Sequence, residues 1–314
     1  MVKRMNNYMN NKRYYSLTEY YLKKYHHKVA RIPLNAGFTC PNRDGKKAYG
    51  GCLFCSDKLS GDLALDKEIS LDIQFQEQKK LLDNKWDNLK YIPYLQAGSN
   101  TYQDVKILKQ IYEPLTKLDN IVAISIATRA DCFNEEIYEY LDDLNKRIPV
   151  EIELGLQTSN EETGKYINRQ TTNQEFIEAV KRLRELNIDV VVHIINNLPY
   201  EDENDMLNTI RFINKLDVQG IKIHSLLILK NSRLYQEFKT KPFKLLSLEE
   251  YVAIVVKQIE ILRDDICIFR LQADAKEEDL YEPKWVMKKL VVMNEIDKLL
   301  RKKDTYQGIF YSQE

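Results

Sequence analysis

Six short runs rich in β-branched and aromatic residues, each followed by a stretch with helical periodicity, constrain this chain more than any other feature. The runs cover 29–34, 91–96, 121–127, 150–156, 189–195 and 221–229. Between them lie helices with legible starts. Thr172-x-x-Glu175 is a capping-box pattern, followed by Phe176, Ile177, Val180, Leu183 and Leu186 on one face. Repeated strand–helix–strand units force parallel strands, because an antiparallel pair would not need the crossover helix. Six such units predict an α/β fold, an open or partial (βα)6 TIM-like barrel whose loops after the strands' C-terminal ends gather at one mouth. A chain of 314 residues suits one such barrel, or a core with an appendage.

The pattern changes after about residue 240. Ser247-x-x-Glu250 opens a helix through Tyr251, Ile254, Val255 and Ile261, and a second apolar but basic helix spans roughly 284–302. The expected organisation is a basic N-terminal arm over 1–28, a core barrel over 29–240 and a C-terminal helical extension over 241–314.

Polar and glycine-rich residues fall where the barrel rule places a site. The first run leads into a cysteine loop and the second into Gln96-Ala-Gly98-Ser99-Asn100-Thr101-Tyr102. The third leads into Thr128-Arg129-Ala-Asp131-Cys132; the fourth ends in Glu153-Leu-Gly155-Leu-Gln157-Thr158 and the fifth in Asn196-Asn197-Leu-Pro199. Five consecutive strand ends with such residues argue for one shared site.

The cysteine loop, CPNRDGKKAYGGCLFC, supplies Cys40, Cys52 and Cys55. Three thiolates leave a fourth metal position open. A closed structural zinc site wants four Cys or His ligands, whereas an iron–sulfur cluster on three thiolates keeps one iron free. Two other readings stay open: zinc with His26 or His27 as fourth ligand, and unrelated thiols. Five cysteines in so long a chain, without a signal peptide, do not read as a disulfide scaffold. Cys132 and Cys267 are by default small buried hydrophobes.

The balance of 47 basic and 47 acidic residues hides an asymmetry. Residues 1–31 carry Lys3, Arg4, Lys12, Arg13, Lys23, Lys24, Lys28 and Arg31 against the single acid Glu19, with six interleaved tyrosines, Tyr8, Tyr14, Tyr15, Tyr20, Tyr21 and Tyr25. Cations with stacking rings suit a flexible polyanion with exposed bases, RNA especially. The competing reading is a solvated basic segment whose tyrosines pack on the core. No apolar run approaches membrane-spanning length, so a cytoplasmic protein with no membrane partner is expected.

The segments CPNRDG…GGC-x-FC, YLQAGSNTY, SIATRADC, ELGLQT, INRQ, HIINNLPYED, GIKIH and LLSLEEYV, in this order, resemble the radical S-adenosylmethionine (SAM) superfamily. Within it they resemble the bacterial subfamily related to the Elongator catalytic subunit, and the likeness covers nearly the whole chain. The expanded Cys40-x11-Cys52-x2-Cys55 spacing belongs to that resemblance. It implies a [4Fe-4S] cluster on Cys40, Cys52 and Cys55, with SAM chelated to the free iron and cleaved to methionine and a 5′-deoxyadenosyl radical. Within that frame Ser99 and Asn100 are candidates for the methionine amino end, and Arg129 for its carboxylate. Glu153 and Gln157 are candidates for the ribose, with the backbone around Asn196, Asn197 and His224 flanking adenine. Cys132 is a candidate hydrogen-atom donor or substrate contact, against the plainer reading of a packed thiol. His193 and His224 read more simply as hydrogen-bonded core residues, and Arg129 as a partner of Asp131 or Glu153.

Three departures from the family pattern stand out. Asn197 replaces a glycine before Leu-Pro, Gly98-Ser99 replaces an aromatic and a hydroxyl residue, and Arg270-Leu-Gln-Ala273-Asp274 lacks a usual glycine. Asn tolerates left-handed backbone, so the first change preserves the turn.

The resemblance implies modification of the tRNA wobble uridine, at the step that forms its 5-aminomethyl side chain, with flavodoxin or ferredoxin as electron donor. The alternatives are a radical SAM enzyme acting on a small metabolite or protein, and a non-catalytic zinc-bearing RNA-binding protein.

Overall fold

The computed structural model of the chain describes residues 8–59 and 64–312. The chain enters through helix α1 (Leu17–Tyr25), then builds β1 (Val29–Leu34), α2 (Leu71–Asp83), β2 (Lys90–Leu95), α3 (Val105–Leu115), β3 (Ile124–Thr128), α4 (Glu135–Arg147) and β4 (Val150–Gln157). Two helices, α5 (Glu161–Tyr166) and α6 (Asn173–Glu185), precede β5 (Asp189–Asn196), and α7 (Glu203–Asn214) leads to β6 (Gly220–Ser225) and the two-residue β7 (Ile228–Leu229). There follow α8 (Arg233–Thr240), α9 (Leu248–Ile261), β8 (Cys267–Arg270), β9 (Leu280–Glu282) and α10 (Lys289–Lys302). Among the described residues no helix is long and apolar enough to cross a membrane.

Seven strands form one parallel sheet, ordered β1-β2-β3-β4-β5-β6-β8, that curls into a half-barrel. Its outward side chains, among them Leu34, Leu95, Ile126, Leu154, Val192 and Ile223, share one apolar core with Phe75 of α2, Tyr112 of α3, Leu144 of α4, Phe176 of α6, Ile210 of α7 and Val255 of α9. The expected capping boxes form at Thr172 and Glu175 and at Ser247 and Glu250, each satisfying backbone donors that a helix start leaves unpaired.

The sheet has one more strand than the six sequence runs imply. β8 is only Cys-Ile-Phe-Arg and follows a long helix, so it shows too few alternations to be legible. The run 221–229 also breaks at Leu226-Leu227, and β7 leaves the barrel to pair antiparallel with β9.

The described part of the N-terminal segment, from residue 8, packs on the barrel. Ile268 N–H donates to the Tyr15 carbonyl at 2.8 Å, so the chain around Ser16 adds a bridge to the β8 edge. Next, α1 crosses the N-terminal end of the barrel, where Tyr21 packs with Ile92, Ala123, Val191, Cys267 and Phe269, flanked by Tyr15, Tyr20 and Tyr25. Its bases are largely paired: Lys12 with Asp297, Arg13 with Asp304, Lys23 with Glu19, Lys24 with Asp189, and Arg31 with Glu151 and Glu153. Lys3 and Arg4 lie outside the described residues. The described tyrosines therefore pack against the core, and most of the described bases of this segment stand in ion pairs. In the C-terminal extension Lys289, Lys298 and Lys303 likewise pair with Asp274, Glu295 and Glu260.

Candidate active site

Period-two alternation sends Arg31, Tyr94, Ser125, Glu153, His193 and Lys222 into the barrel from six successive strands. Water cannot solvate these groups there, so they must satisfy one another. Glu153, fully buried, accepts from His193 Nε2 at 2.6 Å and from Lys222 Nζ at 2.5 Å, and its other oxygen accepts from Arg31 Nη2. Arg31 also donates to Glu151 at 2.9 Å and to Ser125 at 2.7 Å, and lies 4.4 Å from the centre of the Tyr94 ring. Desolvation opposes ionisation of Glu153, but the charges of Arg31 and Lys222, with the hydrogen bond to His193, win and hold its carboxyl well below the usual carboxylate range. Burial drives Lys222 down to about 7 and His193 down to about 4, so the histidine is neutral at physiological pH.

Above this floor lies a cavity of about 260 Å³ at the C-terminal ends of the strands. Cys40, Cys52 and Cys55 line it, together with Ser99, Arg129, Glu153, Gln157, His193, Lys222 and His224. Phe54, Leu226 and Leu227 supply apolar wall.

The cysteine loop is braced on several sides. Asn42, fully buried, donates to the carbonyls of Asn168 at 2.7 Å and Arg169 at 3.1 Å, while Asn168 donates back to the Gly51 carbonyl at 2.8 Å. Leu53 N–H donates to the Ile167 carbonyl at 3.0 Å and accepts at its own carbonyl from Leu234 N–H at 2.8 Å. Arg169, itself buried, donates to the carbonyls of Leu156 at 2.8 Å and Thr158 at 2.5 Å, tying the loop's brace to the end of β4. Lys47 bridges Asp131 at 2.9 Å and Glu175 at 3.2 Å. From the β2 side, Gly98 adopts φ +79°, and a Cβ there would press into the Phe38 carbonyl. Only glycine permits that approach.

The donor chemistry fits a sulfur-ligated centre. Cys52 is pulled down to about 7, first by its hydrogen bond with Cys55 and then by the Arg129 charge, against burial, which raises it. Among the described residues no three His, Cys, Asp or Glu side chains already converge as ligands of a single ion. The three thiols line one cavity, and a cubane takes three thiolates on three different irons and leaves its fourth iron open to that space. The zinc reading also loses its fourth ligand. His26 caps α1 and His27 precedes β1, at the opposite end of a six-residue strand from Cys40, roughly 20 Å away at the ordinary rise per residue.

The other expected residues divide. Ser99, Gln157 and His224 line the cavity as expected. Gln157 takes φ +61° at an irregularity in the β4–β5 pairing, which aims its amide differently from a regular strand residue. His224 is half-buried, with its Nε2 atom enclosed and unpartnered and its ring 5.2 Å from that of His193, and desolvation keeps it neutral. An unpaired ring nitrogen beside a cavity is a ready hydrogen-bonding group for a ligand.

Four of the expected residues stand outside the cavity lining. Asn100 donates to the carbonyls of Leu95 at 3.1 Å and Ala127 at 2.8 Å, so it ties two strand ends together beneath the cavity lining. Asn196 exchanges hydrogen bonds of 2.8 Å with Gln258 of α9 on the outer face. Asn197 adopts φ +69°, as the turn requires, but its side chain bonds the backbone of Lys244 and Leu246. Cys132 is a buried thiol against Asp131 and is not part of the cavity wall; burial raises it beyond the range of an accessible thiolate. Arg129 lines the cavity, yet its guanidinium already holds Asp131 through two 2.8 Å bonds, and Glu153 is saturated by cations. Both frame the cavity electrostatically.

Sequence reasoning missed Arg31, Tyr94, Lys222 and the bracing pair Asn42 and Arg169. Arg31 was counted with the N-terminal bases, although its place inside the first strand run, on the same face as Val29, is a signal that it points inward.

Two family profiles cover the chain, the Radical SAM superfamily over residues 40–213 and the Radical_SAM C-terminal domain over residues 218–302. The chain belongs to the radical SAM superfamily. This radical SAM protein is 40% identical over 300 residues to the uncharacterized protein YtqA of Bacillus subtilis, covering 96% of this chain and 93% of that one. It is 27% identical over 160 residues to Elongator complex protein 3 of Saccharomyces cerevisiae, covering 50% of this chain and 28% of that one. An N-terminally truncated Elp3 of the archaeon Methanocaldococcus infernus superposes with a TM-score of 0.67 at 17% identity, over 89% of this chain and 64% of that chain. The half-barrel is thus shared with Elp3, and the radical SAM chain spans under two thirds of the archaeal protein's length.

Proposed function

We propose that this protein is a radical SAM enzyme in which Cys40, Cys52 and Cys55 hold a [4Fe-4S] cluster, the adjoining cavity takes SAM, and the substrate is a tRNA wobble uridine carried toward its 5-aminomethyl form. When bound, the cluster and SAM supply a 5′-deoxyadenosyl radical that takes a hydrogen atom from the substrate. The observation that carries the reading is the placement of all three thiols on one cavity wall, facing a buried polar floor, in a chain of this superfamily.

The protein's share is placement and shielding. Asn42, Asn168 and Arg169 fix the cysteine loop to the end of β4. His224 offers Nε2 to a ligand, and Ser99 and Gln157 offer polar groups on two other sides. Phe54, Leu226 and Leu227 keep water from that side of the cavity. The Arg31–Glu153–Lys222 set fixes the floor without leaving a buried charge unpaired.

The tRNA substrate rests on the Elongator relatives, since the N-terminal bases are mostly engaged in ion pairs. That pairing favours a second reading, in which the same chemistry acts on a small metabolite or a protein. The test is anaerobic reconstitution, supply of electrons from a flavodoxin or ferredoxin, and incubation with tRNA lacking the modification. Release of 5′-deoxyadenosine with a changed wobble nucleoside supports the proposal; release with no nucleoside change moves it to the second reading.

A further inference from the structure

Five of the six N-terminal tyrosines and Tyr94 make a connected set that packing alone does not explain. Tyr94 lines the cavity, and its ring carries the Arg31 guanidinium, which donates in turn to the Tyr21 hydroxyl at 2.8 Å. From Tyr21 the rings continue to Tyr20 at 5.6 Å, then to Tyr15 at 6.2 Å and Tyr8 at 6.3 Å, with Tyr25 as a side branch 5.7 Å from Tyr21. Phenylalanine would fill these positions without the cost of burying a hydroxyl. Each of the three inner phenols instead meets a carboxylate: Tyr94 meets Glu153, Tyr21 donates to Glu151 at 3.1 Å, and Tyr20 donates to Asp189. A phenol loses an electron readily only if its proton has somewhere to go, and these carboxylates are that place. Burial raises Glu151 above the ordinary carboxylate range, which makes it the better base beside Tyr21.

We propose that Tyr94, Tyr21, Tyr20 and Tyr15 form a relay that drains a one-electron oxidising equivalent from the cavity to the far end of the barrel when a radical misses its substrate. The proposal rests on the radical SAM reading of the cavity. In the first step a carbon radical takes the hydrogen atom of the Tyr94 O–H; a C–H bond forms, the O–H bond breaks and a phenoxyl radical remains. An alkyl C–H bond is stronger than a phenolic O–H bond, so this step runs downhill. Tyr21 then gives an electron to Tyr94 and its proton to Glu151, while Lys222, 3.4 Å from the Tyr94 oxygen, reprotonates Tyr94. Tyr20 refills Tyr21, passing its own proton to Asp189 as Glu151 returns the one it held. Tyr15 refills Tyr20 in the same way, Asp189 giving back its proton while that of Tyr15 goes to solvent. A thiol-class reductant in solution supplies the last electron and proton to Tyr15, and Lys222 recovers its proton from water.

The test is substrate-free turnover of the cluster-loaded protein with SAM and reductant, freeze-quenched and examined by electron paramagnetic resonance, with ring-deuterated tyrosine to identify phenoxyl hyperfine structure. The parent protein should show a tyrosyl signal. Tyr94→Phe should lose most of it and accumulate severalfold more covalent damage on cavity-lining residues per 5′-deoxyadenosine released, as mapped by peptide mass spectrometry. Tyr20→Phe, remote from the cavity, should keep the signal but confine it to Tyr94 and Tyr21, with no oxidation products at Tyr15. Equal 5′-deoxyadenosine with no tyrosyl signal, or identical damage maps in all three proteins, overturns the relay alone. Absence of 5′-deoxyadenosine from the parent overturns the radical SAM reading and the relay with it.

Discussion

Lys222 gives the strongest quantitative handle on the cavity floor. Its ammonium is buried and its nearest carboxylate, Glu153, is shared with Arg31 and His193, so burial wins and its value falls from 10.5 to about 7. A lysine whose folded-state value lies below its unfolded one penalises folding at low pH, and the penalty is relieved as pH rises from the folded toward the unfolded value. Between the two, the unfolded chain binds one more proton, and stability rises by up to about 1.4 kcal/mol per pH unit. Integrated from about pH 7 to about pH 9, that is a gain of about 2 kcal/mol from this one group. Replacing Lys222 with Met keeps the volume, removes the titration and leaves Glu153 paired with Arg31. Urea unfolding of parent and Lys222→Met at several pH values, both anaerobic and equally loaded, isolates the term, because contributions common to both cancel. The parent should gain about 2 kcal/mol more than the variant over that interval. Equal pH slopes in the two proteins would refute the claim that burial outweighs the ion pair at this lysine.

Cys52→Ala should lose most of its iron and sulfide after anaerobic reconstitution while keeping the circular dichroism of the parent, because the backbone bonds of Asn42 and Asn168 and the Lys47 ion pair remain when the thiol's weak contacts are lost; retention of a full cluster would remove Cys52 from the ligand set. Gly98→Ala should destabilise by at least about 2 kcal/mol in denaturant unfolding, since it places a Cβ at φ +79° against the Phe38 carbonyl; a neutral effect would mean the β2 loop does not brace the cysteine loop. Lys24→Ala, which breaks a partly exposed pair with Asp189, should cost no more than about 1 kcal/mol and leave the salt dependence of tRNA binding unchanged, whereas loss of a phosphate contact would lower that slope by about 0.7–0.9.

The outer half of the architecture was legible because it obeys simple periodicities. A parallel strand covered by helices must be apolar on its outward face, and an amphipathic helix must repeat every three to four residues, so the alternation at 29–229 announced both the sheet and its helical coat. The capping pairs Thr172 with Glu175 and Ser247 with Glu250 fixed two helix starts for the same local reason. The cysteine loop and the strand-end segments were legible because a barrel's mouth is set by topology alone. The seventh strand was not, since four residues carry too little pattern. Nor were the fates of Asn100, Asn196 and Asn197. An amide at a strand end can turn toward a ligand or toward a neighbouring carbonyl, and only the positions of Ala127, Gln258 and Lys244 in space decide it.

The counting of Arg31 among the N-terminal bases has a more general cause. A half-barrel has an interior as well as an outer core, and a cationic side chain can enter that interior if a carboxylate from another strand meets it there. Glu151 and Glu153 lie 120 and 122 residues beyond Arg31, so no local window couples them to it. Each looks like an isolated surface charge, and summing such charges along the chain counts as free cations groups that the fold has already neutralised. The informative signal was positional. A charged residue at an inward register of a strand run, with a second charge two residues along the facing strand, as Glu151 and Glu153 stand opposite Arg31, marks a buried network, and buried networks of this kind are costly unless every member is satisfied. By that logic the floor of the cavity and the docking of α1 are one structure, since Tyr21 of α1 accepts from the same guanidinium that holds Glu153 in place.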